Sequence, residues 1–165
     1  MFKRGEPNGE EAAQRPTRFP WPPVLIAATL AAAWILERAV PASWPGPDDR
    51  LARIAGYVIG VAGLALMAWA LFTLRRARTT VLPHHGVSVL VTNGPFRFRR
   101  NPIYLGEVMI FLGLAELTKS VWLLILAPVF ALLITWLAIL PEERHLEARF
   151  GDAFRAYRAR TRRWI

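Results

Sequence analysis

The stretch GPFRFRRNPIYLGE, Gly94 to Glu107, decides how this chain folds. Three arginines and a turn bounded by Pro95 and Pro102 run directly into Ile103 to Leu117, whose only charges are Glu107 and Glu116. Guanidinium groups belong in water and the apolar run belongs in hydrocarbon, so the stretch marks a membrane interface. Such a boundary is also where a polar ligand and a lipid-soluble one can meet.

The rest of the chain extends that reading. Of its 165 residues 54% are hydrophobic, yet it carries 21 Lys+Arg and 12 Asp+Glu. The two kinds are segregated. Ile54 to Leu74 is 21 residues without a charge and Val121 to Leu140 is another 20, each long enough at about 1.5 Å per residue to cross a hydrocarbon core of about 30 Å. Val24 to Leu36 and Ile103 to Leu117 are shorter, 13 and 15 residues. They reach spanning length when flanking residues join the helix and basic side chains snorkel to the headgroups. The expected fold class is an all-α integral membrane protein with four transmembrane helices at about 23–40, 52–74, 102–118 and 120–140. An amphipathic tail helix at 141–160 follows, and residues 21–165 form one domain behind a disordered tail at 1–20.

Charge placement sets the topology. Of the 21 basic residues, 17 lie before the first span, between the second and third, or after the fourth; Arg38, Arg50, Arg53 and Lys119 lie on the other side. The positive-inside rule then places both termini in the cytoplasm of a multi-pass protein of the cell's inner (plasma) membrane. The net charge of +9 is thus a topology signal. Membrane spans divide the arginines, which argues against a nucleic-acid surface. The chain has no cysteine, so disulfides, thiolate metal sites and Cys nucleophiles are excluded. Val40-Pro41-Ala42 resembles a signal cleavage site only faintly; Glu37 and Arg38 precede it, and an uncleaved anchor is expected.

Local signals fill in the connections. Gly56, Gly60 and Gly63 put small residues at helical spacing, which predicts close helix packing. Trp21, Trp34, Trp44, Trp69, Trp122 and Trp136 mostly fall near span ends, as interfacial anchors do. Asn101-Pro102 reads as a helix start, with Asn as cap and Pro at the first position. Ser120 reads as the cap of the fourth span, Pro128 as a kink within it, and Gly151 as a split in the tail helix. Leu146, Phe150, Ala153, Phe154 and Tyr157 share one face of that tail, which lies on the membrane or folds over the bundle.

Several residues are candidates for chemistry. Glu107 lies one turn inside the third span, where a carboxylate either pairs with an arginine or belongs to a site. Glu116 is read as interfacial. Glu142 and Glu143 leave the membrane on the same side as Arg97 to Asn101, and the hairpin of the last two spans makes those ends neighbours. Two carboxylates beside several guanidinium groups suit a zwitterionic ligand, or else form an ordinary salt-bridged collar. His84 and His85 are adjacent and lack a third ligand at suitable spacing, so no metal site is expected. No GxGxxG, P-loop or GxSxG motif is present.

TNGPFRFRRNPIYLGE, a membrane hairpin, and EERHLEARFGDAFRAYRARTRRWI together resemble the isoprenylcysteine carboxyl methyltransferases and related phospholipid methyltransferases. The likeness covers Thr92 to Ile165. That family's pattern is similar to G-P-Y-R-Y-x-R-H-P-x-Y-x-G followed after the hairpin by E-E-x-x-L-x-x-x-F-G-x-x-Y-x-x-Y. The resemblance implies an integral membrane enzyme that binds S-adenosylmethionine in a cytoplasm-facing pocket and takes a lipophilic substrate from the bilayer. Carried over, Arg100, Asn101, Pro102, Tyr104, Gly106, Glu142 and Glu143 would line the cofactor pocket. Arg160 would orient an anionic substrate group. Asn101 stands where the family has His, and Phe154 where a Tyr is common.

Methyl transfer from a sulfonium is a direct displacement that needs alignment and a desolvated nucleophile. A carboxylate nucleophile needs no base; an amine or thiol does, and Glu143 or Glu107 is the candidate. Prenylated peptide, phospholipid amine, isoprenoid acid and small thiol all remain open as substrates. The alternative from another class is a non-catalytic assembly factor or small transporter that keeps the hairpin for folding alone.

Overall fold

The computed structural model describes residues 20–77 and 90–164. All but the last residue of the expected tail at 1–20, and the segment carrying His84 and His85, lie outside them. The described residues form helices α1 (Trp21–Ala39), α2 (Arg50–Arg76), α3 (Pro102–Thr118), α4 (Val121–Ile134) and α5 (Leu140–Arg160). A 3-10 turn at Gly94–Arg97 precedes α3, and a π-helical turn at Thr135–Ile139 joins α4 to α5. Among the described residues there is no strand, only an isolated parallel bridge between Arg99 and Arg162.

Side-chain caps and cross-links show how the helices alternate in direction. Ser120 caps α4 as its sequence position predicts, accepting from Leu123 N at 3.2 Å, while its hydroxyl donates to Glu37 Oε2 at 2.8 Å at the end of α1. Trp122 Nε1 donates to Val40 O at 2.7 Å. Lys119, in the left-handed region at φ 56°, closes the α3–α4 link, donates to Pro47 O at 3.1 Å and pairs with Glu116 and Asp48. Asp49 caps α2 through Ala52 N at 2.8 Å. The end of α1, the start of α2 and the α3–α4 link therefore share one end of the bundle. The end of α2, the 3-10 turn, the start of α3 and the π-turn share the other, called the turn end below.

Helix α3 is packed on two sides. Its glycines face α2 so closely that a Cβ at Gly113 would stand 2.8 Å from Gly56 O and 2.8 Å from Gly60 Cα, and one at Gly106 would stand 2.7 Å from Gly63 O. The seven-residue spacing of Gly106–Gly113 matches that of Gly56–Gly63, which lets the two backbones touch. The opposite side of α3 presents Phe111 and Ala115 to α4 and α1, in a core with Leu25, Ala33, Leu123, Ala127, Phe130 and Ile134. Phe111 and Phe130 meet edge to face with centroids 5.0 Å apart, a favoured aromatic geometry.

The outer faces are apolar. Val58 and Val61 are each 61% exposed and Trp136 is 63% exposed. An apolar surface this extensive requires lipid. Trp21–Ala39, Arg50–Arg76 and the helical run that starts at Val121 are long and apolar enough to cross a membrane. Helix α3, with 17 residues, is shorter than these three; its end meets the start of α2, but Gly106 already lies against Gly63 and Met67, so its start falls short of the end of α2, where Gly94 of the 3-10 turn sits on Thr73. Helix α4 carries Pro128 in its interior as one continuous element. The departure from α-helical bonding comes at Thr135–Ile139, where the Thr135 hydroxyl donates to Ala131 O at 2.6 Å.

Candidate functional site

The turn end collects most of the residues singled out in the sequence. Gly94 enters the 3-10 turn at φ +57°, and a Cβ there would stand 2.6 Å from Thr73 Oγ1, so the turn lies flush on the end of α2. Pro102 opens α3 and is buried. Asn101 occupies the N-cap position, but its side chain caps nothing: Nδ2 donates to Arg163 O at 3.1 Å. The expected capping role is thereby corrected, because the amide serves a contact to the C-terminal segment.

That segment folds back as a strap. Helix α5 breaks at Gly151, φ 49° and ψ −121°, which splits the tail as expected. Its second half buries Phe154 and Tyr157. Tyr157 donates its hydroxyl to Phe96 O at 2.8 Å; burial pushes its phenol up to about 12, so it stays a neutral donor. After Arg160 the chain becomes extended at Thr161, φ −129° and ψ 148°, and runs beside the RRN stretch. Arg100 N donates to Arg162 O at 2.9 Å. Trp164 Nε1 donates to Thr135 Oγ1 at 3.1 Å, tying the strap to the π-turn.

Glu143 is the knot of this assembly. It accepts from Arg100 Nε at 3.0 Å, from Arg163 Nε at 3.1 Å and from Arg163 Nη2 at 2.6 Å. Arg100 also donates to Arg158 O at 3.1 Å and to Thr161 O. The side chains of Glu143 and Arg100 are each 10% exposed. Burial alone would push the Glu143 carboxyl up, but the hydrogen bonds from Arg163 and Arg100 outweigh it and hold the group below its usual range. A carboxylate held this way is a weak base, and the geometry suits a clamp better than a proton acceptor.

Glu142 differs from its neighbour. Part of its side chain reaches the surface, and no cation pairs with it among the described residues. The protein packed around its carboxyl, and secondarily the charge of Glu143, push it up to about 7. Tyr104 is half-buried against the core and lies within electrostatic reach of both Glu142 and Glu107. Glu107 is 9% exposed, and its Oε2 is enclosed without a hydrogen-bond partner. Among the described residues no arginine pairs with it. Gly106 faces α2, where its missing side chain admits the backbone of Gly63. Arg160 is exposed at the last residue of α5 and pairs with nothing among the described residues. Beside the turn, a cleft of about 340 Å³ opens between α2 and Gly94, walled by Trp69 and Phe72 with Arg76 and Asn93 at its rim.

Sequence reasoning missed Arg163, Tyr157 as a hydrogen-bond donor, and Trp164. The signal for Arg163 was the basic run after Arg160, which could not be ordered without knowing where α5 ends.

Neither a curated protein nor a solved structure matches the chain. A sequence model of one family does, over residues 51–153, from the first turn of α2 to the second half of α5. The match covers more than half of the chain and spans the glycine-packed helix pair, the RRNP turn and the Glu142–Glu143 pair; the strap lies beyond it. A helical, lipid-facing bundle with this match belongs to the phospholipid methyltransferase family, a family of membrane methyltransferases.

Proposed function

We propose that this protein is a four-span methyltransferase of the cell's inner membrane, with both termini in the cytoplasm, that uses S-adenosylmethionine to methylate a lipophilic substrate. The observation that carries the reading is the joining of Arg100 to Glu143 at 3.0 Å, which brings the RRNP turn and the end of the α3–α4 hairpin together. The packing of α3 between α2 on one side and α4 and α1 on the other supports a fourth span, and the basic residues of the turn end support its cytoplasmic placement.

The residues at the turn end fit such a cofactor. Its sulfonium and ammonium are cationic, and Glu142 is a carboxyl that no cation pairs among the described residues. Glu142 and Tyr104 would hold the amino acid portion, with Asn101 and Pro102 shaping the wall beneath the strap. Glu143 would act through Arg100, keeping the turn and the strap in register. When bound, the cofactor supplies an electrophilic methyl group. The chain's part is to align the nucleophile with that methyl and to exclude water. Trp69 and Phe72 give a lipid chain an apolar wall beside the turn, and Arg76 offers its headgroup a cation. Arg160 would orient an anionic substrate group from the end of α5.

Isothermal calorimetry of S-adenosylmethionine against the full chain in detergent tests this reading. Saturable binding to folded protein is expected, with affinity lost in Tyr104→Ala. Absence of binding to a folded, monodisperse sample overturns it.

A further inference from the structure

Glu107 is unlike every other carboxyl described in this chain. Glu116, on the same helix, is held by Lys119. Glu37 accepts from Ser120, Glu143 is clamped by two arginines, and Asp48, Glu147 and Asp152 carry ion pairs at the surface. Glu142 also lacks a cation but reaches the surface. Among the described carboxyls only Glu107 combines burial, an enclosed oxygen without a partner, and a position inside the apolar helix α3. Arg100 of the turn is already bound to Glu143 and to the carbonyls of Arg158 and Thr161, and Arg163 of the strap is bound to Glu143. An acidic group left unsatisfied in such surroundings is costly, and natural bundles retain one where a ligand completes it. It stands one turn from Tyr104, the residue that also lies near Glu142, so the Glu107 carboxyl adjoins the candidate cofactor wall.

We propose that Glu107 is the proton acceptor for the nucleophile methylated in this site, a role that rests on the methyltransferase reading above. The Glu107 carboxylate takes the proton from a nitrogen or sulfur of the substrate. The freed lone pair then forms the new bond to the methyl group, the carbon–sulfur bond of the sulfonium donor breaks, and its electron pair stays on sulfur as a neutral thioether. The proton on Glu107 leaves toward the turn end past Tyr104 and Glu142. The substrate class is accordingly one that must lose a proton to react, an amine or a thiol. A carboxylate nucleophile would need no such group.

Two measurements on the full chain in detergent–lipid micelles test the assignment. Dicyclohexylcarbodiimide, which attacks carboxyls in apolar surroundings, is expected to modify Glu107 and spare Glu116, as read by peptide mass spectrometry. S-adenosylhomocysteine is expected to slow the modification. In the second measurement, tritium is followed from S-adenosylmethionine into vesicles containing phosphatidylethanolamine, or into a long-chain alkanethiol. Glu107→Gln is expected to lower the single-turnover rate by about 10²- to 10⁴-fold while leaving S-adenosylmethionine affinity within about threefold, and to flatten the rise of rate with pH. Glu107→Asp should recover part of the rate. Wild-type rate in Glu107→Gln, or equal loss of rate and cofactor affinity, overturns the role. If no probe is methylated by the wild type, the carbodiimide decides: an unmodified Glu107 overturns the proposal, and modification slowed by S-adenosylhomocysteine upholds its place in the site. Absent cofactor binding by the wild type would instead remove the methyltransferase reading itself.

Discussion

Replacing Glu143 by Ala removes the acceptor of three charge-assisted hydrogen bonds at once, those from Arg100 Nε and from Arg163 Nε and Nη2. The consequence is set by what remains. Arg100, with a side chain only 10% exposed, keeps two backbone carbonyls, Arg158 O and Thr161 O, but no counter-charge. Arg163, 33% exposed, can turn into water. Breaking one side of a buried pair costs about 3–5 kcal/mol, and relief at Arg163 places this case near the lower end. At roughly 2–4 °C per kcal/mol for a chain of this size, Glu143→Ala should melt about 6–12 °C below wild type in detergent. The loss should be concentrated in the strap, because residues beyond Arg160 hold on mainly through this knot, the Arg162 and Arg163 carbonyls and Trp164. Hydrogen exchange at the amides of Arg158 to Trp164 should therefore accelerate before the α2–α3 pair is affected. Acid should mimic the mutation. The folded-state value of Glu143 is depressed, so its contribution is present above the ordinary carboxylate range and is lost as pH falls through that depressed value. A melt within about 2 °C of wild type, together with unchanged exchange in the strap, would refute the clamp.

Three other outcomes follow from the geometry. Gly113→Ala should destabilise the bundle by about 1–3 kcal/mol, since its Cβ meets only unyielding α2 backbone at 2.8 Å, whereas Gly60→Ala, whose Cβ meets nothing nearer than Gly113 Cα at 3.8 Å, should be neutral in the same thermal melt. Glu142 binds its proton more tightly when folded, with a value near 7; its stabilising contribution is complete below the unfolded carboxylate range and is lost as pH rises toward 7, so Glu142→Gln should flatten the fall in melting temperature across that window. Arg160→Ala should leave S-adenosylmethionine affinity in calorimetry within about twofold, because the side chain is exposed and unpaired, while lowering turnover of any substrate that carries an anionic group; a loss of cofactor affinity would place Arg160 in the wrong role.

The legible parts of this fold are those in which neighbours in sequence carry the physics. Ile54 to Leu74 reads as a membrane helix because hydrocarbon admits no charge over that length. Ser120 reads as a cap because a hydroxyl three residues before a free N–H has one local use, and Gly151 as a break because little else in the tail interrupts the helical pattern. The glycines of α2 announced a close partner, although only the structure shows that Gly106 and Gly113 receive them. Asn101 was misread for the same reason that Ser120 was read well. Both stand where a cap belongs, but the amide of Asn101 finds Arg163 O, 62 residues away, and no local rule anticipates that. Arg160 and Arg163 show the difficulty most clearly. They sit three apart in one basic run, and their positions depend on α5 ending at Arg160 and Thr161 turning extended, which sends Arg163 back to Glu143 and leaves Arg160 outward.

Charge pairing at the turn end bears on the substrate. Glu143 is matched by Arg100 and Arg163, so that knot is already compensated and offers nothing further to a ligand. Glu142 and Glu107 are not matched, and both adjoin Tyr104. A second anion brought among them would add repulsion in a region poor in water, where charges act over longer range than at a wet surface. A cationic or neutral protic nucleophile meets no such barrier. A carboxylate substrate would therefore have to bring Arg160 in with it, and Arg160 stands exposed at the end of α5 with no ion pair among the described residues. The arrangement favours amine or thiol over carboxylate by default, and the comparison of Glu107→Gln with Arg160→Ala separates the two. Loss of turnover in the first alone identifies a nucleophile that must give up a proton, and loss in the second alone identifies one that arrives already charged.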